Sequence, residues 1–360
     1  MKNEKLNAMK SVYTYFFPEV RPLVHSTDGL DSRLFLTWTP ASEAQRYVDS
    51  LEFRKKLVVP RTQSGTVDLD SIHEPAIERI LEIYEKTVPG ISDFGYRYFT
   101  SGSSEGIFHT MAELKAGGTN KIYTFEGEYE GYKEYGKTLD LLTEEVDFST
   151  ESHNLKTGKW FISNPSARDG NIISNKRINE ICDKGNTVYL DLAYVGSTRE
   201  HKFDVSHENI RTIFLSFSKP YGIFRFRVGF TLSRNPLESL YGNKWFKDIS
   251  RVLTAVKIAE EIGPKVLHER YEEKQRVIIN KINEKHGLNM LPSDVLLLGN
   301  ISKRDGEKLS SKKKNTIAEF ERAGAYRFCL TPYYEEFEMG GSKWKSEYSE
   351  EVLIQFITLM

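Results

Sequence analysis

The segment SFSKPYGIFRFRVGF, residues 216–230, follows an apolar strand and places Lys219 at its end, between Ser216, Ser218 and, eight positions on, Arg227 and then Gly229. An amine that can be desolvated toward neutrality is a nucleophile, and a guanidinium grips phosphate oxygens in a bidentate fork. Other groups capable of chemistry lie upstream. TVYLDLAYVGS ends in Asp191 with Tyr194 three positions later, and FISNPSARDGN sets Asn164 before a proline. SGSSEGI, residues 101–107, follows a strand and opens a helix, so the backbone N–H groups at Gly102, Ser103 and Ser104 and the helix dipole make an anion site. FEGEYEGYKEY contributes Tyr129 and its competitor Tyr132. Taken singly, each has a plainer role: a snorkelling lysine, a strand-end Asp capping the next helix, a core Tyr, an Asn-Pro turn, a Ser N-cap.

These residues need elements to position them. Short β-rich runs alternate with helical patterns from about residue 95 to 235: YRYFT, KIYTF (121–125), EEVDF (144–148), KWFIS (159–163), TVYLDL (187–192), RTIFLSF (211–217) and RVGFTLS (227–233). That alternation predicts a mostly parallel α/β sheet. Between the first two runs, Ile107, Phe108, Met111 and Leu114 recur at helical spacing and Gly117 supplies a stop. Beyond Asn235 come long helical segments broken at Gly263-Pro264, then DVLLLGN (294–300) and AYRFCL (325–330) as strands flanking a Lys-rich helix. The expected organisation is an N-terminal segment (1–50) serving the small domain or a dimer contact, a large domain (51–240), and a small α+β C-terminal domain (241–360).

Composition narrows the partners. The 360 residues carry 50 Lys+Arg against 51 Asp+Glu, which argues against a nucleic-acid or anionic-membrane footprint and for a small-molecule ligand. Two cysteines, Cys182 and Cys329, without a CxxC pair suggest neither zinc nor a disulfide framework. No apolar run of membrane-spanning length appears, and the expectation is a soluble, cytoplasmic protein.

In this set the sequence resembles the class I/II aminotransferases of pyridoxal phosphate (PLP) fold type I. Their Schiff-base motif is Ser-x-x-Lys followed eight positions later by Arg-x-Gly, as in Ser216, Lys219, Arg227 and Gly229. The resemblance implies a large domain with a mostly parallel seven-stranded sheet flanked by helices, plus a smaller α+β domain, with PLP bound as a Schiff base on Lys219. It further implies that Arg227, Ser216, Ser218 and the turn Gly102, Ser103, Ser104 bind the phosphate. Asp191 would keep the pyridine nitrogen protonated, Asn164 and Tyr194 would bond the ring hydroxyl, and Tyr129 would stack on the ring. Arg327, in GAYRFCLTPYY, matches the arginine that clamps the substrate carboxylate; a buried interdomain salt bridge is its other reading.

The sequence also departs from the family pattern. The stretch VVPRTQSGTVDLDS lacks the tyrosine that relatives donate from a neighbouring subunit, leaving Thr62 or Gln63 as substitutes. Arg225 replaces a small residue and would either add a cation near the cofactor or lie at a dimer contact; the alternation in FRFR, with Arg227 on the same face, favours the contact. The N-terminal segment lacks the familiar approach to the substrate pocket. The implied activity is transamination between an amino acid and a 2-oxo acid by a homodimer. The alternatives are another fold type I reaction on an amino acid, as lyase, decarboxylase or oxidase, and a non-catalytic relative. A dinucleotide enzyme is excluded because SGSSEG does not supply G-x-G-x-x-G.

Overall fold

The computed structural model describes residues 6, 8–10, 17–26, 38–68, 71–242, 248–264 and 266–334. The outer parts of the expected terminal segments, 1–5 and 335–360 among them, lie outside the described residues.

Its main sheet has seven strands: β1 (Tyr96–Thr100), β2 (Lys121–Phe125), β3 (Leu142–Val146), β4 (Lys159–Ser163), β5 (Thr187–Leu192), β6 (Ile210–Ser216) and β7 (Gly229–Ser233), in the order β1-β7-β6-β5-β4-β2-β3. Strands β2 to β6 pair in parallel, while β7 runs antiparallel to both β6 and β1. Trp160, Phe161, Ile162, Leu190, Ile213, Phe214 and Leu215 are all buried, the unbroken apolar run expected of strands covered on both faces. At the edge, β3 leaves Leu142 exposed, and it begins two residues before the expected EEVDF run. Its Glu144 and Glu145 pair with Lys121 and Lys133, so this strand is polar and carries little apolar signal.

On one face lie helices Ser103–Ala116 and Glu130–Thr138, which bury Ile107, Met111 and Tyr132 with Ile122, Phe161, Tyr189 and Phe214. Helix Ser103–Ala116 sits very close to the sheet at Gly106, where an added Cβ would fall 1.8 Å from Thr231 Oγ1 and 3.1 Å from Phe214 Cδ1. Elsewhere, helices Glu74–Tyr84 and Ile249–Glu261 pack together, joined by a 2.7 Å ion pair between Arg79 and the buried Glu260.

A second, antiparallel sheet holds β8 (Leu291–Pro292), β9 (Leu298–Ile301), β10 (Glu321–Arg322) and β11 (Ala325–Cys329), in the order β10-β11-β9-β8. The expected strand over 294–300 starts later, at Leu298. Residues 294–297 instead form a turn in which Asp294 accepts the Ile172 N–H at 2.7 Å and pairs with Arg199, a polar task that breaks the strand. Met9 exchanges backbone hydrogen bonds with Cys329, so residues 9–10 run alongside β11. No helix among the described residues is long and apolar enough to cross a membrane.

Parallel strands end at the same edge of a sheet, and ligands of open α/β sheets bind outside those carboxyl ends. Strands β1, β2, β4, β5 and β6 run into the loops that carry Gly102, Tyr129, Asn164, Tyr194 and Lys219, and antiparallel β7 begins there, just after Arg227. Replacing Gly106 by Ala should cost about 1–3 kcal/mol through overpacking against Thr231 and Phe214. Denaturant unfolding of the variant beside the unsubstituted protein measures it.

Candidate active site

The residues expected from the sequence to bind a phosphate come together where β1, β6 and β7 meet. Arg227 has left-handed backbone angles (φ 53°, ψ 67°) and directs its guanidinium back toward β1, where Nη2 donates to the Ser101 carbonyl at 2.7 Å. Nη1 reaches Ser218 Oγ at 3.3 Å, and the Ser216 hydroxyl accepts the Ser218 N–H at 3.2 Å. Gly102 (φ 78°) lies on that guanidinium, for a Cβ there would stand 2.5 Å from Arg227 Nη2. A Cβ at Gly229 would stand 2.6 Å from the Gly102 main chain. Two glycines thus let three backbones converge on one cation at the start of helix Ser103–Ala116, where the first-turn N–H groups and the helix dipole favour an anion. Strand alternation does not apply to Arg225, which occupies a 3-10 turn (Phe224–Phe226) and is exposed while Arg227 turns inward. The expected shared face of the two arginines is therefore corrected.

Deeper in the edge, Asp191 is 5% exposed and accepts the Ala193 N–H at 3.0 Å. Burial holds its carboxyl up at about 6, opposed by the positive charge of Lys219 and by hydrogen bonds from Ala193, Ser103 and Tyr132. Lys219 Nζ lies 4.0 Å from the centre of the Tyr194 ring. Burial alone would raise the Tyr194 phenol, but the charges of Lys219, Arg327 and Arg322 bring it below its ordinary value. Asn164 is buried and tied by both ends of its amide to Ile173, accepting its N–H and donating to its carbonyl, each at 2.9 Å. One amide hydrogen remains for a ligand, since a carboxamide has two.

The two candidate stacking tyrosines separate clearly. Tyr132 is core: it is 1% exposed, packs on Phe161 and bonds Ser163 Oγ at 2.9 Å. Tyr129 is half-buried, with its hydroxyl 3.0 Å from Ser104 Oγ and 3.2 Å from the Tyr135 hydroxyl, and Gly131 makes room beneath its ring.

On the side of the second sheet stands Arg327, 5% exposed. Nη1 donates to the Ala167 carbonyl at 2.6 Å and lies 3.1 Å from the Tyr194 hydroxyl, while Nη2 donates to the Lys10 carbonyl at 2.8 Å. Among the described residues its Nε has no partner and no carboxylate lies within ion-pair range, so none of them forms the salt bridge of the other reading. The contact with Lys10 also brings the N-terminal segment to the site, an approach its residues did not announce. Thr62 and Gln63 lie in an exposed turn where the Thr62 hydroxyl bonds Ser64 and Thr66. Sequence reasoning missed Glu128, a carboxylate 5% exposed that accepts from Ser166 and Ala167 in the loop after Asn164. Burial holds it up at about 7, against hydrogen bonds from Ser166, Ser163 and Ala167. No spacing distinguishes it from the exposed Glu126 and Glu130 beside it.

Solved structures of aminotransferases and of a decarboxylase share this fold. Aspartate aminotransferase from Thermus thermophilus aligns with a TM-score of 0.57 at 10% identity, covering 81% of this chain and 83% of that one. YbdL from Escherichia coli, for which a methionine aminotransferase function is identified, aligns at 0.55 and 12%, covering 92% and 95%. L-threonine-O-3-phosphate decarboxylase from Porphyromonas gingivalis aligns at 0.51 and 13%, covering 73% and 95%. These likenesses are of fold. No curated protein sequence matches the chain. Residues 95–294, more than half the chain, match the family model Aminotransferase class I and II, and the chain belongs to that family.

Pyridoxal phosphate is the cofactor of this family, and the residues present fit it. The Gly102–Arg227 cradle suits a phosphate, and the Lys219 amine suits an aldehyde. The buried Asp191, held up by lack of solvent, suits a protonated ring nitrogen that would restore a counter-charge.

Without the cofactor, Asp191 and Glu128 bind protons more tightly folded than unfolded, at about 6 and 7 against ordinary values of 3.8 and 4.5. Their contribution to stability is therefore full below about pH 4 and is lost as pH rises through 6 and 7. Asp191→Asn should stabilise the apoprotein at pH 8 by about 2–3 kcal/mol and leave it nearly unchanged at pH 4. Denaturant titrations of both apoproteins at the two pH values check the difference.

Proposed function

We propose that this protein transfers the amino group of an amino acid to a 2-oxo acid, with Lys219 carrying PLP as a Schiff base. The observation that supports it best is the Lys219 amine near two buried, opposite and separately held charges: Asp191 toward the cofactor ring and Arg327, with no carboxylate partner among the described residues, toward the substrate. PLP, when bound, supplies an aldehyde that condenses with amines and a ring that accepts the electron pair released at the substrate α-carbon.

The protein's own residues then have distinct tasks. Arg227, Ser216, Ser218 and the N–H groups of Ser103 and Ser104 would hold the phosphate beside Gly102, whose own N–H donates to the Thr100 carbonyl at 2.8 Å, and Asp191 would hold the proton on the ring nitrogen. Asn164 and Tyr194 bond the ring hydroxyl, and Tyr129 covers the ring. Arg327 takes the substrate carboxylate in its fork and thereby fixes which bond at the α-carbon can break. Lys219 Nζ would take the proton from the substrate α-carbon and serve as the acid when a proton is returned. The Tyr194 hydroxyl touches Arg327 while its ring faces Lys219, so one side chain couples carboxylate binding to the base. A cytoplasmic homodimer and a division into large (51–240) and small (241–360) domains complete the proposal, on the family resemblance.

The test is a spectral panel of amino acids and 2-oxo acids, with products identified by mass. Transamination requires the aminated cofactor and the matching 2-oxo acid; release of CO2, ammonia or peroxide in their place overturns it. Lys219→Ala should lower turnover by at least about 10³-fold. Arg327→Ala should raise KM by about 10²-fold, the loss of one charge-assisted pair.

A further inference from the structure

We propose that Glu128 is a positioning residue for recognition of the substrate carboxylate, acting on Arg327 through the main chain of Ser166 to Arg168. The inference rests on the reading of Arg327 given above. Glu128 Oε1 accepts the Ser166 hydroxyl at 2.5 Å, and Oε2 accepts the Ala167 N–H at 3.1 Å. Ser166 Oγ in turn accepts the Arg168 N–H at 3.2 Å. That N–H belongs to the same peptide group as the Ala167 carbonyl, which accepts Arg327 Nη1 at 2.6 Å. One carboxylate therefore fixes both peptide planes that flank Ala167, and hydrogen bonds in such a chain polarise one another.

The segment that bears Glu128 has little room to move. A Cβ at the preceding Gly127 would meet Arg168 Cγ at 2.9 Å and Ala323 Cβ at 3.0 Å, so the chain here is held between the loop after Asn164 and the turn joining β10 to β11. Ser166, Ala167 and Arg327 are all buried, and water cannot replace a lost contact cheaply.

Placing the carboxylate one peptide away from Arg327 has a chemical reason. A direct bidentate partner would satisfy the guanidinium and compete with the substrate carboxylate for the same fork. At one remove, the carboxylate sets the guanidinium's place while, among the described residues, Arg327 is hydrogen-bonded only to neutral oxygens of Ala167, Tyr194 and Lys10. Its charge stays available to an incoming anion. The buried Glu128 carboxyl, held up at about 7, shows that this position is maintained against a desolvation cost.

The test compares two amines that differ only in the carboxylate, 2-methylalanine and isopropylamine, titrated against the PLP-loaded enzyme by visible absorption. Neither depends on a particular side-chain pocket, and 2-methylalanine has no α-proton to lose. In Glu128→Ala, the Kd of 2-methylalanine should rise about tenfold while that of isopropylamine changes by less than about twofold. Glu128→Gln, which retains an acceptor for Ala167 N–H and a partner for Ser166, should recover most of the loss. In an Arg327→Lys background, Glu128→Ala should add nothing further. Equal weakening of both amines, or of neither, overturns the inference. Borohydride fixation of the cofactor to Lys219 and the thermal midpoint, measured on the same samples, identify a variant that has merely lost its fold. Failure of the unsubstituted holoenzyme to respond to either amine would instead count against the proposed function itself.

Discussion

The contact between the Gly102 main chain and the Arg227 guanidinium organises the edge of the large sheet. For Arg227 to reach the Ser101 carbonyl, β7 must begin with a glycine against Gly102, and the chain before it must turn through a left-handed conformation. A left-handed arginine is unfavourable in isolation and persists where surrounding contacts over-determine it. Those contacts join β1, β6 and β7, the strands that deliver the anion turn, the lysine and the arginine. The rest of the edge follows from the parallel register of β4, β5 and β6, which sets Asn164, Asp191 and Lys219 at successive strand ends.

From this edge inward the arrangement trades stability for poise. Asp191 and Glu128 are carboxylates withdrawn from water, and Arg327 is a guanidinium withdrawn from water with no carboxylate of the described residues beside it. Each would be cheaper to the fold as a neutral residue, and such conflicts gather where function needs a group kept ready. Tyr194 lies where the fields meet, its phenol drawn downward by three cations despite burial.

Much of this was legible in the residues, for reasons that differ by element. Strands β4, β5 and β6 are covered on both faces, so their apolar runs stand out, and the polar residues that close them read as the site. Lys219 and Arg227 could be found because their spacing is a local property of the β6–β7 connection, and the turn at 101–104 because its glycine and serines sit between a strand and a helix start. Strand β3 was displaced by two residues because an edge strand built on Glu144 and Glu145 has no apolar alternation to align. The turn at Asp294 and the inward path of Arg227 past an exposed Arg225 depend on partners far along the chain. Glu128 was invisible for the same reason: its burial is decided by Ser166 and Ala167, some forty residues away. Nothing in Met9 or Lys10 foretells that they would lie along β11.

That last pairing gives the molecule a property that no single site residue has. Ordering residues 9 and 10 along β11 costs backbone entropy, and part of the return is the hydrogen bond from Arg327 to the Lys10 carbonyl. Thermodynamic linkage makes this exchange reciprocal. An anion that draws Arg327 into a particular pose also changes how firmly the N-terminal segment is held, and a loosened segment changes how firmly Arg327 can hold an anion. The pairing of residues 9 and 10 along β11 and the pose of the Arg327 guanidinium are thus two readings of one equilibrium.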